Sequence, residues 1–147
     1  MLDPLTAISL AGNVAQFVDF SSKIVSRTRE LTKSSHHATQ EAYNAEILVR
    51  DLVRVTEKVK DGARAARATS LGEEDKALED LCNGCIILSE RMIKRLEKLK
   101  PEEGAGKRQA FLHALKSVWS QRELECEESQ LATYRSQLEF RILTSFR

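Results

Sequence analysis

Residues 4–32, PLTAISLAGNVAQFVDFSSKIVSRTRELT, decide the fold. Pro4 suits the first position of a helix, where its missing N–H would have no intrahelical partner and its fixed φ is already helical. Asp3, just before it, is a good N-cap. Leu10, Val14, Phe17, Ser21, Ile24 and Leu31 fall on one stripe at helical spacing, with Thr28 interrupting it. Ala7, Ala11, Val18 and Val25 make a second stripe that runs through Ser22. Two stripes leave the helix apolar around much of its circumference as far as Phe20, and the fifteen residues from Pro4 to Val18 carry no charge. After Ser21 the helix is amphipathic, with Lys23, Arg27, Arg29, Glu30 and Lys33 on its wet side. A helix apolar all round is either central in a bundle or built to meet a membrane. Gly12 costs it about 1 kcal/mol relative to alanine, which points to close packing or a bend at that position.

The rest of the chain repeats helical patterns between breaks. Lys33-Ser34-Ser35-His36-His37 is a polar connector, and a second helix is expected from Thr39 to Arg67. Its Ala45, Leu48, Leu52, Val55 and Val59 alternate spacings of three and four, an a/d seam. Gly62 is expected to end the regular part, since residues 63–68 offer no apolar stripe beyond alanine. Ser70 and Glu73, in capping-box spacing, announce a third helix with the stripe Leu78, Leu81, Cys85, Leu88, Met92, Leu96 and Leu99, widened by Cys82, Ile86 and Ile93. Pro101 stops it, and residues 102–106, EEGAG, read as a loop. Phe111, Leu112, Leu115, Val118 and Trp119 make a short apolar segment, after which Ser120 and Glu123 repeat the capping-box signature. The final helix carries Leu124, Leu131, Tyr134, Leu138, Ile142 and Phe146 and reaches Arg147 without a stop signal, as expected of one domain cut from a longer protein. The pattern predicts an all-α fold, an up-down four-helix bundle over residues 1–147. The 111–119 piece either kinks the fourth helix or counts as a short fifth. No repeat of solenoid length is visible.

Composition agrees. The 147 residues are 41% hydrophobic and 31% charged, with two prolines and 5% aromatics, a balance poor in strand formers. The formal charge of +1 lacks the basic excess of a nucleic-acid binder. Three cysteines are odd in number and too few for a secreted disulfide scaffold, and no signal-peptide pattern opens the chain, so a cytoplasmic location is expected.

Catalytic signatures are missing. Gly104-Ala105-Gly106 lacks the strand and the further glycines of a phosphate-binding fingerprint. No nucleophile, base and orienting group converge, so no enzyme, cofactor or small-molecule substrate is expected. Cys82-Asn83-Gly84-Cys85 has the spacing of a zinc or redox pair, but it lies mid-helix on the apolar stripe and has no second pair, so two buried structural thiols are expected. Cys126 and His113 could join it as ligands only by tertiary accident. The adjacent His36 and His37 and the glutamates Glu127 and Glu128 are expected to be solvated. Charge placement says more than charge total. Arg91, Lys94, Arg95, Lys98, Lys100, Lys107, Arg108 and Lys116 stand against three acids, Glu97, Glu102 and Glu103, over one stretch. Anionic lipid headgroups would favour such a patch by about 1 kcal/mol per base near the surface. Glu123, Glu125, Glu127 and Glu128 form an acidic face that could pair with it within the molecule or between copies.

The opening residues 1–20, MLDPLTAISLAGNVAQFVDF, resemble the start of the N-terminal domains of fungal STAND proteins, the NACHT-type NOD-like receptors, with the SesA and HeLo-like group nearest. Residues 114–120, ALKSVWS, and the ending from Leu138 to Arg147 resemble the C-terminal portion of the same domains. The resemblance implies a domain placed before a nucleotide-binding NACHT module and a repeat sensor. It also implies kinship with four-helix cell-death effectors, such as the bundle of the mixed-lineage-kinase-like pseudokinase and the plant resistance coiled coils. In that wider group, oligomerisation releases a hydrophobic first helix that disrupts membranes. Carried over by position, the inserting element would be Leu2, Leu5, Ile8, Leu10, Val14, Phe17, Val18 and Phe20. Partners would be other copies, a helical domain of another protein, or anionic lipids. The stretch departs from a true membrane span in being short and in containing Gly12, Asn13 and Gln16. The alternative is a homotypic or adaptor interaction bundle without membrane action, in which the same helix stays in the core.

Overall fold

A computed structural model describes residues 4–33, 44–69, 73–99 and 107–145, and over these the fold is all-α with five helices. They are α1 (Pro4–Lys33), α2 (Ala45–Thr69), α3 (Glu73–Glu97), α4 (Lys107–Val118) and α5 (Gln121–Ser145). Leu2, the His36-His37 pair, Ser70, Lys100, Pro101, the 102–106 loop and Phe146 lie outside the described residues. The short apolar segment is thus a helix of its own, broken from α5 at Trp119 and Ser120.

The caps explain the breaks. Asn44 is not helical, and its side-chain oxygen accepts the Ile47 N–H at 3.2 Å while its carbonyl accepts the first helical bond from Leu48 at 3.0 Å. That is an N-cap, so α2 begins at Ala45 and not at the expected Thr39. At the other break the capping box is complete: the Glu123 N–H donates to the Ser120 hydroxyl, and the Ser120 N–H donates to the Glu123 carboxylate, both at 3.1 Å. The α3 helix ends at Glu97, four residues before Pro101, tightening into i to i+3 bonds from Lys98 to Arg95 and from Leu99 to Leu96.

The core contains the expected stripes. Leu10, Val14, Phe17, Val18, Ile24, Val25 and Leu31 of α1 are all buried, along with Leu52, Val55 and Val59 of α2, the Leu78–Leu96 stripe of α3 and Leu99 just beyond it. Leu115, Trp119, Leu124, Leu131 and Leu138 complete it. Thr28 does not interrupt the α1 stripe: it is fully buried and its hydroxyl donates to the Ile24 carbonyl at 2.8 Å. Thr56 does the same with Leu52, which leaves the buried Ser89 hydroxyl as the donor in the bond that joins α2 to α3. Ser21, equally buried, has no hydrogen-bond partner for its hydroxyl.

Two expectations about glycine are corrected. Gly62 does not end α2, which continues to Thr69 with Ala63 and Ala66 buried. A Cβ on Gly62 would lie 2.8 Å from the Leu10 side chain and 3.8 Å from its Cα, so this glycine lets α1 and α2 approach. Gly12 has the opposite environment. It is exposed, nothing lies within 4 Å of a Cβ placed on it, and α1 continues as helix across it.

Pairings along the helices fix which ends meet. Leu10 faces Gly62, and the Asn13 amide reaches the Lys58 carbonyl at 3.4 Å. Arg67 pairs with Glu79 and Lys60 with Glu90, while Gly84 leaves room for the Tyr134 hydroxyl, 2.6 Å from where its Cβ would stand. Arg95 pairs with Glu123 and Glu127, and Arg29 with Glu125 and Glu128. One end of the molecule therefore gathers the start of α1, the last turns of α2 and α5 and the beginning of α3. The other gathers the end of α1 and α3 with the start of α5.

Candidate functional site

The uncharged first half of α1 divides by face. Leu10, Val14, Phe17 and Val18 are inside the core, and Phe20 is half-buried against it. Only Leu5 and Ile8 among the described members of the expected inserting element are solvent-exposed, at 79% and 52%. The larger apolar side chains of this half of α1 belong to the core, the arrangement of a helix central in a bundle. Outward-facing Ser9, Gly12, Ala15 and Gln16 continue the uncharged surface up to Asp19, which pairs with Lys23. At the same end, Phe140 and Leu143 on the outer side of α5 are 63% and 71% exposed. No helix among the described residues is long and apolar enough to cross a membrane.

The opposite end is organised by charge. Arg91, Lys94, Lys98 and Lys116 of the expected basic patch are exposed, and Lys107 and Arg108 lie in the first turn of α4. Arg95 is turned inward. Its guanidinium pairs with Glu127 and Glu123 and sits 5.4 Å from the centroid of the Trp119 ring, a cation–π contact. The indole N–H of Trp119 donates to the other oxygen of Glu127 at 2.8 Å. Glu127 is therefore not solvated, as expected from its charged neighbourhood, but buried at 2% exposure with both carboxylate oxygens engaged. A buried carboxylate is tolerable only when paired and hydrogen-bonded in this way. The backbone N–H of Ser120, its hydroxyl and the Arg95 charge hold the Glu123 carboxyl below its ordinary value, the backbone bond being the largest effect. Burial lowers Arg95, and Glu123 acts against that shift.

In the sequence Glu127 stands in an acidic run whose members are expected to be solvated. A signal was present all the same. Glu127 stands three residues after Leu124 and four before Leu131, on the apolar stripe of α5. The expected pairing of acidic and basic faces occurs within the molecule through Arg95, and a second arginine outside the patch, Arg29, takes Glu128 at 2.6 Å and Glu125 at 4.0 Å.

Beside Arg29, α1 and α5 border an open groove of about 530 Å³ lined by Ser22, Ser26, Lys33, Glu128 and Arg135 among others. Cys82 and Cys85 are buried free thiols, and burial pushes both up to about 12, so neither supplies a thiolate near neutrality. Cys126 and His113 are exposed, and no group of three His, Cys, Asp or Glu side chains among the described residues is placed to hold a metal ion. No family model matches this chain, and neither a curated protein nor a solved structure is significantly similar to it.

Proposed function

We propose that this chain is a non-catalytic protein-interaction bundle, acting as a signalling domain by association with other copies or with a helical domain of a partner. The four long helices are read as an up-down bundle with α4 as an added short element, a reading supported by the pairs Leu10–Gly62, Arg67–Glu79 and Arg95–Glu123. The observation that carries the function is the division of α1. Its inner face holds the core together, while Leu5 and Ile8 leave apolar surface uncovered on an uncharged outer face. Exposed apolar groups clustered on one surface favour association, whereas single ones are ordinary. The resemblance of residues 1–20 to fungal NACHT-type receptor domains of the SesA and HeLo-like group supplies the setting, a cytoplasmic domain of an immune-type receptor.

A second reading is favoured by the absence of charge between Asp3 and Asp19: α1 contacts anionic lipid after assembly, the domain lying along the surface so that the exposed bases Arg91, Lys94, Lys98 and Lys116 at its other end also meet headgroups. Both readings are tested by light scattering over a range of protein concentrations, with and without anionic liposomes. Concentration-dependent growth in mass that is lost in Leu5→Glu/Ile8→Glu, with helicity intact, supports the interaction bundle. Mass growth only with liposomes, accompanied by leakage, supports membrane action. A strict monomer that ignores liposomes contradicts self-association and membrane action alike.

A further inference from the structure

The Arg95 cluster does more than neutralise a buried carboxylate. Arg95 lies near the end of α3, before the chain goes on to α4, and Trp119 follows α4 directly. These two side chains meet face to ring, and Glu127 of α5 binds both. The excursion that contains α4 is therefore closed at its base by three side chains from three different parts of the fold.

Two further observations make α4 separable from the rest. First, α5 does not depend on α4 for its start: the capping box of Ser120 and Glu123 satisfies donors of its first turn locally, and Leu124 closes its first bond on the Ser120 carbonyl at 3.0 Å. Likewise α4 closes on itself, the Trp119 N–H donating to the Leu115 carbonyl at 2.9 Å. Second, α4 packs chiefly on α1, with Leu115 fully buried and Phe111, Leu112, Ala114 and Val118 only partly so. A helix of twelve residues has little stability of its own, so its attachment depends on this contact and on the Trp119 anchor.

We propose that α4 is a clasped flap, held shut by Arg95, Trp119 and Glu127, which opens as a unit about the Trp119–Ser120 break and uncovers the side of α1 beneath it. Glu127 is the keystone of the clasp because it is the member that hydrogen-bonds both of the others, Arg95 and Trp119 meeting each other only face to ring. Glu123 is an outer brace, holding Arg95 with one oxygen while capping Ser120 with the other. The flap opens whether or not the outer face of α1 binds a partner, since the clasp and the Leu5–Ile8 surface belong to opposite ends of the molecule.

Native-state amide exchange on the full chain tests this, because local openings are read helix by helix. In Glu127→Gln the amides of residues 107–119 should exchange at least about tenfold faster than in the parent, since one partner of a buried pair has been removed. Amides in the cores of α2 and α3, around Leu52–Val59 and Leu81–Leu88, should keep their rates. Trp119 is the chain's only tryptophan, so its emission should shift to the red while helical circular dichroism is nearly unchanged. Equal acceleration across all helices, or none in α4, overturns the proposal. Should Glu127→Gln not fold, Glu123→Gln decides: it loosens the brace and leaves Glu127 paired. A smaller acceleration confined to the same amides supports the flap, and a uniform or absent change rejects it.

Discussion

The two ends of this molecule dispose of their side chains in opposite ways. Where α1 and α3 finish and α5 begins, two arginines each take two glutamates, and the deeply buried Glu127 carboxylate has a partner for both oxygens. That end is closed on itself by electrostatics. At the other end Gly62 lets α1 and α2 approach closely, yet Leu5, Ile8, Phe140 and Leu143 are left in solvent. Other exposed apolar residues, Ile47, Val53 and Ile87, lie on α2 and α3. The lesson is that polar satisfaction fixes one end internally, while the surplus of apolar surface at the other is what a partner could use. Charge marks the interior fastening here, and its absence marks the surface for association.

The largest effect that could break this contrast lies within α1. Phe17→Ala should cost about 3–5 kcal/mol in urea unfolding, because a fully buried ring is removed from the core. Leu5→Ala should stay within about 0.5 kcal/mol of the parent, as for exposed positions in general. Comparable losses at both positions would erase the distinction between inner and outer faces. Next is Ser21→Ala, which removes a buried hydroxyl without a partner and improves helix propensity; a gain of about 1 kcal/mol is expected from the same measurement. A loss would mean that the hydroxyl is satisfied in solution.

The glycines sharpen the comparison with effects of similar size and opposite sign. Gly12→Ala should stabilise by about 0.5–1 kcal/mol, since a methyl there meets nothing and alanine favours the helix. Gly62→Ala should destabilise by about 1 kcal/mol, because its methyl would press on Leu10, a side chain that is itself buried in the core. Thermal melts of the two variants, one rising and one falling, are the expected pair. The smallest effect is at the charged end and depends on pH. Glu123 titrates below its ordinary value of 4.5 in the folded state, so its contribution is complete above that value and is lost as pH falls through the lowered one. Urea midpoints measured from pH 5 downward should fall less steeply in Glu123→Gln than in the parent.

Most of the fold was legible because helical periodicity and caps are local. The α1, α2 and α3 stripes and the Ser120–Glu123 box could be read from spacing alone, and each is where it was expected. What escaped depends on contacts between distant residues. Gly62 looks like a helix end until Leu10, from another helix, is seen against it. Glu127 looks like one more surface acid among Glu123, Glu125 and Glu128 until Arg95 and Trp119 close around it. The basic run from Arg91 to Lys116 looks uniform, although Arg95 belongs to the interior. Composition records the charge of a side chain but not its direction, and direction is what separates patch from clasp.

Whether the inner face of α1 stays in the core while the domain associates is best read from its amide exchange in the assembled state. With protein held at concentrations where light scattering detects assembly, amides from Leu10 to Val25 should stay as protected as in the monomer, with added protection confined to the turns around Leu5 and Ile8. Loss of protection across Leu10–Val18 on assembly would mean that the first helix leaves the core, contradicting an interaction bundle in which only its outer face is used.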